Sequence, residues 1–137
     1  EIVRRTNPLN AIDPGEITLA DIVGVLPFDN VLVDVTLTGA QVAASYEHGA
    51  RRIAVSGLEK DGGNYLVNGA PLDVEATYQV LVNDFMYAGG DGYRFGEYDP
   101  DAYQTGIDWR QPVIESISAL DTTEADPLET YLDTSQR

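Results

Sequence analysis

Val31-Leu32-Val33-Asp34-Val35-Thr36-Leu37-Thr38-Gly39-Ala40-Gln41-Val42-Ala43 is the stretch that decides the fold. Val31, Val33, Val35 and Leu37 alternate with Leu32, Asp34 and Thr36, which predicts a strand with one better-buried face. At Thr38 the pattern changes. Thr38-Gly39-Ala40-Gln41 matches a capping box, in which hydroxyl and side-chain amide each satisfy the other residue's backbone N–H. The helix it opens is expected to reach Ala50, with Val42, Ala43, Tyr46 and Ala50 near helical spacing.

Toward the N-terminus, residues 1–16 read as an irregular lead-in with Pro8 and a turn at Asp13-Pro14-Gly15. Thr18 can cap a short helix over 19–25, ended by Pro27, and Phe28-Asp29-Asn30 makes a turn. Toward the C-terminus, 53–56 and 65–67 are strand candidates separated by the turn-rich Glu59-Lys60-Asp61-Gly62-Gly63-Asn64. Asn68-Gly69 signals a tight turn, and 77–82 is the next strand. A loop rich in Tyr, Asp and Gly covers 93–107. Asp108-Trp109-Arg110-Gln111 has the form of a second capping box, with Pro112 tolerated in a first turn and Ile114, Ile117, Ser118 and Leu120 at helix-like intervals. Helices and strands mix without a βαβ rhythm, so the fold class is α+β: a single compact domain with a mixed sheet and packed helices. The domain is expected over 1–120. Residues 121–137 read as an acidic tail with a short helix over 127–132.

Composition sets the bounds. The 137 residues suit one domain, and 43% hydrophobic content is enough for a core. No apolar run approaches ~18 residues, so no membrane span is expected. No signal peptide is visible; a chain starting at Glu1 without Met fits a fragment or processed piece, so that absence says little about location. Zero cysteines remove disulfides, thiolate metal sites and a Cys nucleophile. Asp and Glu total 23 against 8 Lys and Arg, for a formal charge of -15, which speaks against nucleic-acid binding through a basic face. The acidic residues are scattered, so the surface reads as solvated throughout. A halophilic source explains this best, with an ordinary acidic secreted domain as the alternative.

The chemistry-bearing residues are few. Asn83-Asp84-Phe85-Met86-Tyr87-Ala88-Gly89-Gly90-Asp91-Gly92-Tyr93 puts a ring and a glycine-framed carboxylate on one loop. Such a loop suits a flat base carrying a sugar, although taken alone it reads first as a plain tight turn. Phe28 stands between a helix end and a strand and by itself reads as core. Arg4-Arg5 offers guanidinium forks for phosphate, or is a frayed surface pair. His48, the one histidine, lies mid-helix without a second metal ligand or an elbowed serine, and reads as structural or surface. The carboxylates, Asp99-Pro100-Asp101 among them, read as solvated surface, and no EF-hand, Walker or dinucleotide pattern is present.

The chain resembles the C-terminal domain of the 5′-nucleotidase / UDP-sugar hydrolase family of metallophosphoesterases. The residues carrying the resemblance are Pro14-Gly15-Glu16-Ile17-Thr18, Leu26-Pro27-Phe28-Asp29-Asn30, Leu37-Thr38-Gly39-Ala40-Gln41, Tyr46-Glu47-His48-Gly49, Val67-Asn68-Gly69-Ala70-Pro71-Leu72, Thr77-Tyr78 and Asn83 through Tyr93. They stand in family order over roughly residues 2–118. The resemblance implies that Phe28 and Phe85 clamp a nucleobase, that Asp91 in the Gly89-Gly90-Asp91-Gly92 loop takes the ribose hydroxyls, and that Arg4 or Arg5 contacts the nucleotide. It further implies a divalent metal pair and the catalytic His–Asp pair on an N-terminal metallophosphoesterase domain of the same protein, with no catalytic or metal-binding residue in this chain.

By resemblance, then, the chain is expected to be the substrate-specificity domain of a secreted, periplasmic or cell-surface 5′-nucleotidase-like hydrolase, inactive without its partner domain. Within the resemblance, the alternative is a domain of a 2′,3′-cyclic phosphodiesterase/3′-nucleotidase or of a UDP-sugar hydrolase. A non-catalytic nucleoside-binding module is the rival from another class. A further rival keeps the fold and binds no base, as in family members acting on sulfur carriers; retention of both Phe28 and Phe85 speaks against it.

Overall fold

The computed structural model describes residues 17–49 and 53–131. The expected lead-in over 1–16 and its turn lie outside the described residues, as does the expected helix end at Ala50. The helices are α1 (Leu19–Val25), α2 (Gly39–Gly49), α3 (Asp84–Tyr87), α4 (Phe95–Tyr98) and α5 (Gln111–Leu120). The strands are β1 (Val31–Thr38), β2 (Leu58–Asp61), β3 (Asn64–Val67), β4 (Ala70–Pro71), β5 (Thr77–Asn83) and β6 (Tyr103–Asp108). This is the α+β class, built as two three-stranded sheets ordered β5-β1-β6 and β2-β3-β4. The chain divides into two compact units: Val31–Gly106, and Glu1–Asn30 with Ile107–Arg137.

In the unit Val31–Gly106, β1 is the centre. It pairs antiparallel with β5 from Leu32 opposite Asn83 to Thr38 opposite Thr77. Val33, Val35 and Leu37 are at most 1% exposed, while Thr36 between them faces water, so the alternation read from the sequence is the burial pattern of the strand. Val42 from α2, Val82 from β5, Tyr93 and Phe95 complete the core. Each fully buried aliphatic side chain contributes about 1.5–3 kcal/mol. The Thr38 box forms as expected: the Thr38 N–H donates to Gln41 Oε1 at 2.8 Å and the Gln41 N–H to Thr38 Oγ1 at 3.3 Å. Gly39 opens α2 because any Cβ there would overlap the Asp73 carbonyl.

The second sheet departs from expectation. Residues 53–56 form no strand; β2 lies at Leu58–Asp61, running into the first half of the stretch read as turn-rich, of which only Gly62-Gly63 turns. Hydrophobic patterning missed β2 because Leu58 alone of its residues is partly covered. Its register with β3, from Leu58 opposite Val67 to Asp61 opposite Asn64, comes from backbone pairing. A carboxylate secures the hairpin to α2: Glu47 accepts from both Lys60 Nζ and the Tyr65 hydroxyl. Asn68-Gly69 makes the expected turn, at φ 50 and 79. The loop expected over 93–107 contains α4 and the start of β6. These were illegible because α4 is a single turn and most of β6 is exposed.

In the other unit, α1 begins at Thr18 as expected, with the hydroxyl accepting from the Asp21 N–H and the Thr18 N–H donating to Asp21 Oδ2. Hydrogen bonds from the Thr18 hydroxyl and then its N–H hold the Asp21 carboxyl below its ordinary pKa. The box expected at Asp108 does not form. Asp108 instead accepts from the Arg110 backbone and guanidinium, and α5 starts at Gln111 without a side-chain cap, carrying Pro112 in its first turn. A 3-10 turn, Leu128–Thr130, falls inside the expected tail helix.

Leu37→Ala is expected to destabilise the chain by about 2–5 kcal/mol in urea unfolding, the usual range for a fully buried leucine; a loss under about 1 kcal/mol contradicts the core described. Lys60 and then Tyr65 hold the Glu47 carboxyl below its ordinary pKa, and Glu47 holds the Lys60 ammonium above its own. A lowered acid stabilises above the ordinary glutamate range and stops doing so as pH falls through its folded pKa. A raised base stabilises below the ordinary lysine range and stops as pH rises through its folded pKa. Amide protection in β2 and β3 should therefore be flat across neutral pH and fall at both extremes, and Glu47→Gln should remove the acid-side dependence.

Candidate functional site

The segment 83–93 is a chain of turns fixed by side chains. Asn83 caps α3, its Oδ1 accepting from the Met86 N–H at 2.8 Å. Asp84 Oδ1 accepts from the Phe85 N–H at 3.0 Å and from the Val31 N–H at 3.2 Å, which ties α3 to the start of β1. Met86 packs against the core, while the Phe85 ring on the same turn is 51% exposed. Tyr87 donates to the carbonyls of Asp99 and Pro100, both at 3.1 Å. Asp99, read as a solvated carboxylate, is structural: its Oδ2 accepts from the Thr36 N–H of β1 at 2.8 Å.

Past α3 the backbone turns left-handed at Gly89 (φ 95), Asp91 (φ 54) and Gly92 (φ 80). Glycine reaches that region at no steric cost, and aspartate is among the few side-chain-bearing residues that tolerate it. Gly90 serves a different need. The Phe85 ring lies so close to it that any Cβ there would overlap ring carbons. The ring thus lies against the Gly90 backbone on one side, and Asp91, the next residue, is exposed. Phe85, Gly89, Gly90 and Asp91, all selected from sequence, are brought together on this loop. It offers a stacking face on α3 and two carboxylate acceptors on the following 3-10 turn.

Sequence reasoning missed the role of His48. Its Nε2 lies 2.8 Å from the Asp91 carbonyl oxygen, and its ring meets Tyr93 edge-on at 4.8 Å. Tyr93 is 6% exposed and stacks on Phe95 at 5.1 Å. Nothing in the local sequence at 46–49 announces a contact 43 residues away. A cleft of about 180 Å³ opens on this side, lined by residues that include Ser45, His48, Gly92 and Tyr98. Neither Phe85 nor Asp91 lines this cleft.

Phe28 belongs to the other unit. The reading of Phe28 as core is corrected: its ring is 66% exposed. Its backbone is held instead. Trp109 Nε1 donates to the Phe28 carbonyl at 2.9 Å, the Trp109 N–H to the Asn30 carbonyl at 3.1 Å, and Arg110 Nη2 to Asp29 Oδ1 at 2.6 Å. Arg110 is 11% exposed and also grips Asp108, so these two carboxylates, Asp108 first, hold its guanidinium far above its ordinary pKa. Arg4 and Arg5 lie outside the described residues. The described cations, Lys60, Arg94 and Arg110, each hold a carboxylate, so each has its charge partner within the chain.

Known proteins carry related sequence. The family model described as the 5′-nucleotidase C-terminal domain matches residues 3–66 and 51–97. Protein UshA of Yersinia enterocolitica is 32% identical over 133 residues, which take in 86% of this chain and 24% of that protein. The trifunctional nucleotide phosphoesterase protein YfkN of Bacillus subtilis is 31% identical over 60% of this chain and 7% of its own length. A crystal structure of a 5′-nucleotidase precursor from Thermus thermophilus superposes with a TM-score of 0.69 at 31% identity, over 85% of this chain and 28% of that one. The chain thus spans a quarter or less of these curated relatives.

Gly90→Ala is expected to push the Phe85 ring off the loop. The ring is half-exposed and free to swing, so stability should fall by less than about 1 kcal/mol while the Phe85 ring proton shifts change in NMR spectra. Unchanged ring shifts would contradict the packing described.

Proposed function

Because the chain belongs to the 5′-nucleotidase C-terminal domain family, we propose that it binds the nucleoside end of a nucleotide for a 5′-nucleotidase-like phosphohydrolase. The observation that carries this reading is the half-exposed Phe85 ring laid against Gly90, with the exposed Asp91 as the next residue of the same loop. A base stacks on the ring, with a gain of about 1–3 kcal/mol that does not depend strongly on which base it is. The carboxylate takes two vicinal hydroxyls, one on each oxygen. Phe28 supplies a second stacking ring, an assignment supported by its match to the family pattern and by its exposure. Arg4 or Arg5 meets the phosphate, a role consistent with the described cations already having carboxylate partners.

Under this reading the bond-breaking groups sit on an N-terminal metallophosphoesterase domain of the same protein. A divalent metal pair there supplies the activated water and screens the phosphate. This chain's residues select and orient the substrate. Among the described residues no helix is long and apolar enough to cross a membrane. An extracytoplasmic location goes with the family reading, and the acidic surface is proposed to keep the domain soluble at high salt.

Titration of the 137-residue chain with adenosine at high salt tests the proposal. Phe85→Ala and Asp91→Ala should each weaken binding about fivefold or more, the loss of one stacking face or of charge-assisted hydrogen bonds. Wild-type affinity in both variants removes the assignment. Hydrolysis of AMP by the same chain with added divalent metal would show that the catalytic groups had been placed on the wrong domain.

A further inference from the structure

We propose that His48 is a positioning residue for sugar recognition: by holding the Asp91 carbonyl it fixes the Asp91 side chain where vicinal hydroxyls meet it. The inference rests on the nucleoside reading of the 85–91 loop and adds to it a residue that does not touch the ligand.

Asp91 sits at φ 54, a left-handed conformation that aspartate tolerates but does not prefer, so contacts to its backbone help to hold it there. Within the loop, the Gly92 N–H reaches the Gly89 carbonyl at 3.1 Å and the Tyr93 N–H reaches the Gly90 carbonyl at 3.2 Å. Neither bond involves a polar group of Asp91. His48 supplies that hold, with Nε2 2.8 Å from the Asp91 oxygen. A carbonyl carries no proton, so Nε2 must donate; the neutral imidazole with its proton on Nε2 does this as well as the charged ring.

The ring itself is well located. It rides on α2, whose start is fixed by the Thr38–Gln41 box, and its edge rests on buried Tyr93. Gly92 leaves room for it: a Cβ there would stand 3.3 Å from the imidazole. The Asp91 backbone is thus referred to a helix of the core unit. A shorter side chain at 48 would open onto the adjoining cleft and let water compete for the carbonyl.

The test compares adenosine with 2′,3′-dideoxyadenosine by calorimetry on the 137-residue chain, because only the first carries the hydroxyls. The wild type should favour adenosine by about fivefold or more, as expected for hydrogen bonds to a carboxylate. His48→Phe keeps the ring edge on Tyr93 and removes the donor. It should bring the two affinities within about twofold of each other while leaving dideoxyadenosine binding unchanged. His48→Gln returns an N–H donor at similar reach and should restore the preference. If His48→Phe keeps the wild-type preference, or if both ligands weaken equally in it, or if His48→Gln fails to restore what His48→Phe lost, the positioning role is wrong and the nucleoside reading stands. If the wild type does not distinguish the two ligands, the nucleoside reading falls and takes the inference with it.

Discussion

Three left-handed residues within four positions, Gly89, Asp91 and Gly92, set the form of the candidate site, and the fourth position, Gly90, must lack a side chain for a separate reason. The first requirement bends the chain sharply enough to return it to the core at Tyr93. The second lets the Phe85 ring lie close against backbone. Most of what surrounds the loop can be understood as holding this segment: the Asn83 cap, the Asp84 bond to the head of β1, the Tyr87 hydroxyl on two carbonyls, and His48. These are directed polar contacts, and β1, with its three fully buried side chains, is the rigid body to which they refer.

The same contacts qualify the picture of an acidic surface. A chain of net charge -15 invites the view that its carboxylates are there for water. Several are internal ligands instead. Asp84 and Asp99 accept backbone N–H groups of β1, Glu47 joins a helix to a hairpin, and Asp108 with Asp29 surrounds Arg110. A carboxylate that accepts from backbone or guanidinium makes a charge-assisted bond, roughly twice as strong as a neutral one. The surplus of acid therefore coexists with a scarcity of uncommitted cation among the described residues. That bears on the proposed function, under which a nucleotide's phosphate would find its positive field elsewhere.

Legibility followed physical range. Elements defined by periodicity or by a cap within four residues were readable: β1, the Thr38 box with α2, α1 behind Thr18, and the Asn68-Gly69 turn. β2 was not, because its stability lies in pairing with β3 and in Glu47, and its own side chains face water. The Asp108 box failed because an arginine two residues on competes for the same carboxylate and satisfies it more fully than a backbone N–H would. For the site, residue types and the glycine frame were visible. His48 and Trp109 were not, since the first reaches a carbonyl 43 residues away and the second one 81 residues away, and no local pattern encodes that.

Phe28 and Phe85 share one arrangement although they belong to different units. Each ring is more than half exposed. In each case the backbone around the ring is fixed by polar contacts: Trp109 and Arg110 hold residues 28–30, while Asn83 and Asp84 hold the first turn of α3. Fixing a ring through its backbone keeps its face free and lowers the entropy lost when a ligand stacks on it. A ring anchored by core packing would have its faces spent, and a ring on a loose loop would have to be ordered at the moment of binding. The observed arrangement avoids both, which supports the proposal that the two phenylalanines are recognition surfaces.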